Sequence, residues 1–222
     1  MPRRSADDAA ITRQRIVDAA LTLFAERGYA DTSTALIART AGITDGALFH
    51  HFSTKKALFR EVVVQLRARV HRAIYDAAAS ASSVLEGFRL GARESMRATQ
   101  APDYQRIVYT DAPAVLGRAE WGDIDARMGF ELIEARLRMI AGSRDLPDHL
   151  LKPMAVLTLG LMNEATFAMA RKDPGVDPDQ CLDLLDRTLL DWIDRDVEPW
   201  KAARGSGKPA GTLHHRPSAK DR

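Results

Sequence analysis

The sequence predicts an all-α protein of about nine helices, with a three-helix helix-turn-helix unit at its N-terminal end and a larger helical unit after it. Three observations predict this. Apolar residues recur at spacings of three and four through nearly every segment. No segment sustains the period-two alternation of branched residues that a half-buried strand requires. Glycine, serine and threonine stand where helices would stop and start, at Gly28, Gly42, Thr44 and the Ser53-Thr54 pair.

The first helix is expected from about Thr12, where Ile16, Ala20, Leu23 and Phe24 form an apolar stripe that Gly28 ends. A short second helix carries Ile37, Ala38 and Ala41. Gly42 follows it, since glycine accepts the left-handed conformation of a helix stop. Thr44 can cap the third helix, in which Leu48 and Phe52 share one face and Gly46, Phe49 and His50 fall roughly opposite. A short helix with one side anchored and the other free suits entry into the DNA major groove. The fourth helix runs from Thr54 to about Ala79 on Leu58, Val62, Leu66, Val70 and Ile74. A fifth covers roughly 84–99. A segment at 104–111 precedes Pro113, and a long helix is expected over 121–141. Helix eight, about 147–172, is apolar nearly all round and should be buried on several sides. Helix nine, about 179–194, sets Leu182, Leu185, Leu189 and Trp192 at three- and four-residue spacing, a seam for a partner helix. From about Asp196 the chain is rich in Gly, Pro and Lys and aperiodic, and reads as a mobile basic tail.

Composition bounds the function. The chain has 222 residues, 45% of them apolar, enough for one or two domains with a sizeable core. No apolar run reaches the length of a membrane span, and Met1 to Asp8 lacks the apolar core of a signal peptide. Cys181 is the one cysteine and has no internal partner, so a cytoplasmic protein is expected. The net charge is only +2 but unevenly spread. Residues 1–60 hold nine basic and six acidic side chains, a net +3; residues 61–195 hold 17 and 21, a net −4; residues 196–222 hold six and three, a net +3. The basic excess falls on the helix-turn-helix end and the tail. The sequence has no nucleophile–base–acid set, metal-ligand spacing or phosphate-cradling glycine loop, so neither an enzyme, a metal nor a cofactor is expected.

Residues 11–59 resemble the DNA-binding domain of the TetR family of bacterial transcriptional regulators. The likeness is carried by the Ala19-Ala20 and Phe24-Ala25-Glu26-Arg27-Gly28-Tyr29 runs and the Ile37-Ala38…Ala41-Gly42 turn. The Gly46-Ala47-Leu48-Phe49-His50-His51-Phe52 helix and the Lys55 that follows it complete it. Later segments, Arg106 to Gly117, then Trp121 and Ile124-Asp125, and Leu159-Gly160-Leu161-Met162-Asn163-Glu164-Ala165, resemble one subgroup of that family. The resemblance implies a DNA-binding domain over 1–57 and an effector-binding and dimerisation domain over 58–195, with the tail at 196–222. It implies a homodimer on an inverted-repeat operator, acting as a repressor that a small molecule releases, with no membrane partner. An activator, or an architectural DNA-binding protein without ligand, is the alternative.

On that footing Thr34, Thr44, Asp45, Gly46, Ala47, Phe49, His50, His51 and Lys55 are the DNA-binding candidates. Thr44 bonds a phosphate or only caps its helix. Asp45 accepts from a cytosine or only stabilises the helix N-terminus. Gly46 permits close backbone approach, Ala47 can touch a thymine methyl, and His50 and His51 can donate to phosphate. Lys55 is expected at a phosphate, and Arg3, Arg4 and Arg13 can reach DNA from an arm. Two departures stand out: Phe49 replaces the family's usual tyrosine and loses its phosphate-reaching hydroxyl, and Ala35 offers no polar contact. For a mostly apolar effector pocket the candidates are Phe88, Met96, Tyr109, Asp111, Trp121, Met128, Phe130, Asn163 and Phe167. Glu164 is a further polar candidate, and an arginine such as Arg106 is the alternative partner for it and for Asp111. A hydrophobic or aromatic effector is expected. The dimer-interface candidates are Leu157, Leu161, Leu182, Leu185, Leu189 and Trp192.

Overall fold

Five side-chain and glycine caps set the boundaries of the N-terminal helices in the computed structural model, which describes residues 2–141, 148–171 and 173–195. Helix α1 spans Pro2–Arg27, ten residues earlier than the start expected near Thr12. Gly28 stops it at φ 81°. Ser33 opens α2 (Thr34–Ala41) by accepting from the Leu36 N–H. Gly42 closes it at φ 68°, and the Ile43 N–H returns to the Ala38 carbonyl, which fixes the turn into α3. Thr44 caps α3 (Asp45–His51) through the Ala47 N–H, and Thr54 caps α4 (Lys55–Ala79) through that of Ala57.

The remaining helices are α5 (Val84–Ala98), α6 (102–116), α7 (Arg118–Ala141), α8 (Asp148–Ala170) and α9 (Pro178–Arg195). These are nine helices and no strand among the described residues. Helix α6 is continuous but irregular. Its middle turn, Gln105–Asp111, is wound as a π-helix, and the Ala112 N–H bonds the Ile107 carbonyl five residues back. Pro113 follows at once, where a regular ladder would need an N–H.

The first core joins α1 to α4 and reaches into α6. Phe24 packs edge-on to Phe59 at 5.1 Å, and Tyr29 to Phe59 at 4.9 Å. Ile16, Leu48, Leu58, Tyr104, Ile107 and Val108 are wholly buried in the same cluster. Gly28 shows why this junction is tight. A Cβ there would lie 2.5 Å from the Arg106 guanidinium, which donates to the Arg27 carbonyl at 3.0 Å. The second core, Phe88, Ile133, Leu137, Leu151, Met154, Ala155 and Leu185, holds α5, α7, α8 and α9 together. A third, smaller cluster of Ala92, Met96 and Leu182 joins α5 to α9. No described helix is long and apolar enough to cross a membrane.

Leu182 and Leu185 therefore differ from expectation. Both are buried within the chain, so the three-four spacing on α9 marks an internal face. Leu157 and Leu161 of α8 stand about half exposed, with Val156 and Leu184 beside them as apolar residues left outside. The side chains of Leu189 and Trp192, and the tail at 196–222, lie outside the described residues.

Candidate functional site

Helix α3 is anchored by one face and open on the other. Leu48 is fully buried and Phe52, just past the helix, nearly so. Asp45, Gly46 and His50 are exposed, Ala47 and His51 half-buried, and Phe49 is 48% exposed with its ring outward. A Cβ added at Gly46 would meet nothing within 4 Å. Asp45 sits in the first turn, where its charge complements the helix dipole. The His50 and His51 rings lie edge to face at 5.6 Å, and no group of metal-ligating side chains forms among the described residues. Thr34 is half-buried in the first turn of α2, and Ala35 beside it is exposed. This surface is narrow, small and nearly neutral: short side chains at the α3 N-terminus, aromatic and imidazole groups behind.

Two of the cations placed near DNA by the sequence, Arg13 and Lys55, are engaged within the fold. Arg13 is held against the body by Glu61 at 2.8 Å and lies 4.8 Å over the Phe52 ring, so it is no free arm. The side chains of Arg3 and Arg4 lie outside the described residues. Lys55 Nζ donates to the Tyr29 and Thr32 carbonyls, each at 2.8 Å, and sits 4.1 Å over the Tyr29 ring. Burial lowers its pKa, and the nearby Asp31 charge offsets that in part. The ammonium thus ties the loop before α2 to the start of α4. Lys55→Met keeps the alkyl stem and removes both bonds. It is expected to cost roughly 1–3 kcal/mol and to lower the melting temperature by about 2–12 °C, measured by thermal unfolding. An unchanged melting temperature with a salt slope of DNA binding reduced by about 0.9 would assign Lys55 to a phosphate instead.

A cavity, partly open to solvent, lies between α4, α5, α7 and α8. Val70, Ile74, Phe88, Ala92, Ile133 and Leu159 supply apolar wall. At the end nearer the helix-turn-helix, Arg67 donates to the Tyr104 hydroxyl at 2.6 Å. Tyr109 lies edge-on to Tyr104 at 5.3 Å. Burial foremost, and the neighbouring Tyr104, push the Tyr109 pKa well up, so it is a neutral donor. Phe88, Tyr109 and Asn163 of the expected set line this cavity.

The other expected ligand residues have other places. Met96 belongs to the α5–α9 cluster. Asp111 accepts from the Tyr29 N–H at 2.8 Å, and Arg106, its expected alternative partner, goes to the Arg27 carbonyl. Trp121 donates to the Val108 carbonyl at 3.0 Å. Phe167 packs against Tyr109 with ring centroids 4.5 Å apart, and Phe130 packs at the edge of the second core. Glu164 pairs with Arg171 at 3.1 Å. The Met128 side chain lies outside the described residues. Sequence reasoning missed Arg67, His71, Gly91, Thr99 and Arg136, which line the space. On α4 the signal was a polar residue interrupting a stripe, which reads equally as a solvated face.

His71 is half-buried at this cavity. Burial foremost, then the Arg67 charge, lowers its pKa below 6.5. The unfolded chain protonates His71 near pH 6.5, whereas the folded chain resists until lower pH, so stability falls with acidification through that window. Thermal unfolding of His71→Gln should show a smaller loss between neutral and mildly acidic pH than the parent chain; an identical loss would contradict this.

Comparison with known proteins adds the following. Residues 16–62 match the family described as bacterial regulatory proteins, tetR family, and residues 85–191 match the tetracyclin repressor-like C-terminal domain. The chain is 45% identical over 62 residues to the transcriptional regulator AcrR of Shigella flexneri, covering 28% of this chain and 29% of that protein. It is 42% identical over 59 residues to a helix-turn-helix transcriptional repressor of Mycobacterium tuberculosis, covering 27% of this chain and 32% of that one. The chain thus spans under a third of the length of these curated relatives. Over nearly its full length it is similar to the TetR-family transcriptional regulator of Pectobacterium atrosepticum, whose structure is known. Identity is 32%, the TM-score 0.66, and coverage 86% of this chain and 96% of that one.

Proposed function

Because this chain belongs to the TetR family of bacterial transcriptional regulators, we propose that it is a dimeric repressor that holds an inverted-repeat operator and lets go when a small, largely apolar effector fills the cavity. The observation that carries this reading is the double use of α4. Leu58, Phe59, Val62 and Val63 of this one helix lie in the helix-turn-helix core. Arg67, Val70, His71 and Ile74 of the same helix line the cavity. A ligand that shifts the distal half of α4 must move the proximal half, because packed helices respond as rigid levers rather than by continuous deformation.

Binding of the two α3 helices in successive major grooves, about 34–36 Å apart, requires two chains in a fixed relation. The exposed Val156, Leu157, Leu161 and Leu184 supply an apolar face for a second copy. In this reading Gly46 and Ala47 approach base edges, Asp45, His50 and His51 flank them, and Thr34, Thr44 and Phe49 sit at the backbone. Release of DNA is a population shift between two dimer states, each favoured by one ligand. The boundary between DNA-binding (1–57) and effector (58–195) portions then falls within α4.

In vitro transcription from a promoter carrying the selected operator tests this. The dimer should lower transcript yield in proportion to operator occupancy. A rise in yield would make the protein an activator; occupancy without effect on yield would make it architectural.

A further inference from the structure

We infer that the effector is an elongated amphiphilic anion, a carboxylate on an aliphatic body, whose charged end meets Arg136 at the distal mouth of the cavity. This rests on the effector-cavity reading above. The length follows from α4, where lining residues run from Arg67 to Ala78. Eleven residues of helix span about 17 Å, so the space is a channel along the helix rather than a round pocket. Its middle is aliphatic, with Ile74, Ala92, Ile133 and Leu159 on four different helices.

The charge follows from Arg136. Four arginines of the effector half are answered by acids: Arg89 by Asp186, Arg93 by Asp179, Arg97 by Glu94, and Arg138, two residues along the same helix, by Glu134, while Arg67, at the other end of the cavity, donates to the Tyr104 hydroxyl. Arg136 has Leu132, Ile133, Met139 and Ile140 at the three- and four-residue positions where α7 could provide an acid. It is half-buried, its guanidinium lies against Gly87, where a Cβ would sit 3.7 Å from Nη1, and no described carboxylate pairs with it. No described residue lining the cavity is acidic. A guanidinium partly withdrawn from water beside apolar walls is suited to a bidentate carboxylate. The aliphatic tail then lies along Val70, Ile74 and Leu159, and the Arg67–Tyr104 pair closes the other end of the space.

The test is calorimetric titration of the full chain, and of Arg136→Gln and Arg136→Lys, with decanoate and with decan-1-ol. The parent chain should bind the acid about tenfold or more tighter than the alcohol, the scale of one charge-assisted contact. Arg136→Gln should erase that preference and leave the alcohol's affinity unchanged, which also reports an intact cavity, while Arg136→Lys should keep part of it. Equal binding of acid and alcohol to the parent chain would overturn the anion and leave the cavity reading standing. A preference that survives Arg136→Gln would overturn the assignment to Arg136. Binding of neither would overturn both this inference and the effector-cavity reading.

Discussion

Gly46→Glu is expected to remove operator recognition while leaving the fold at least as stable. A Cβ at this position meets open space, and the residue lies in the first turns of α3. Replacing a helical glycine gains about 0.5–1 kcal/mol, and an acid near a helix N-terminus adds about 0.3–1 kcal/mol. The melting temperature should therefore rise by a few degrees or stay level. The same side chain would stand between α3 and the bases, carrying a charge toward phosphates. Specific binding exceeds non-specific binding by at least about 10³, and a helix that cannot enter the groove forfeits most of that margin, so operator affinity should fall at least about 10²-fold. Gly46→Ala, measured alongside by fluorescence anisotropy, separates volume from charge. Undiminished affinity of Gly46→Glu would mean that α3 does not face the groove.

The second large effect is expected from Leu161→Glu combined with Leu184→Glu. Both side chains stand about half exposed or more, on α8 and α9, and line one shallow depression with Cys181. Exposed positions tolerate substitution within about 0.5 kcal/mol, so the monomer should fold. Two carboxylates facing their symmetry mates would be desolvated without partners, which an interface does not tolerate. Sedimentation should then show a monomer, and operator affinity should fall by about 10²–10⁴, the advantage of linking two half-site contacts. A double variant that still sediments as a dimer would place the interface elsewhere.

These two expectations draw on different kinds of legibility. The helix-turn-helix was readable because its signals are local: Gly42 takes the left-handed conformation, and Thr44 caps within three residues of itself. The face of α3 followed from helical spacing alone, since Leu48 and Phe52 could only be buried together. The division of α9 into inner and outer faces was half legible. Spacing on α9 showed that Leu182 and Leu185 share a side, but periodicity does not say whether the covering helix belongs to the same chain. Leu184, which the stripe leaves out, is the one that faces outward.

Tertiary contacts account for the rest. The two carbonyl partners of Lys55, at Tyr29 and Thr32, come from a loop whose path only the fold defines. Aromatic and methionine residues drew attention as pocket walls, yet Trp121 and Met96 serve as ordinary packing. Arg67, His71 and Arg136 line the cavity and read in sequence as solvated charges. The π turn of α6 had one sequence cue, Pro113, but the compensating five-residue hydrogen bond at Ala112 has no composition signature.

The most direct measurement is selection of bound duplexes from a random pool by the purified full chain, followed by sedimentation of the protein on the recovered sequence. The account predicts one inverted repeat, its half-sites about 10–10.5 base pairs apart centre to centre or a multiple of that, occupied by two chains per duplex. Recovery of a single half-site bound by one chain, or of no sequence above background, would contradict it.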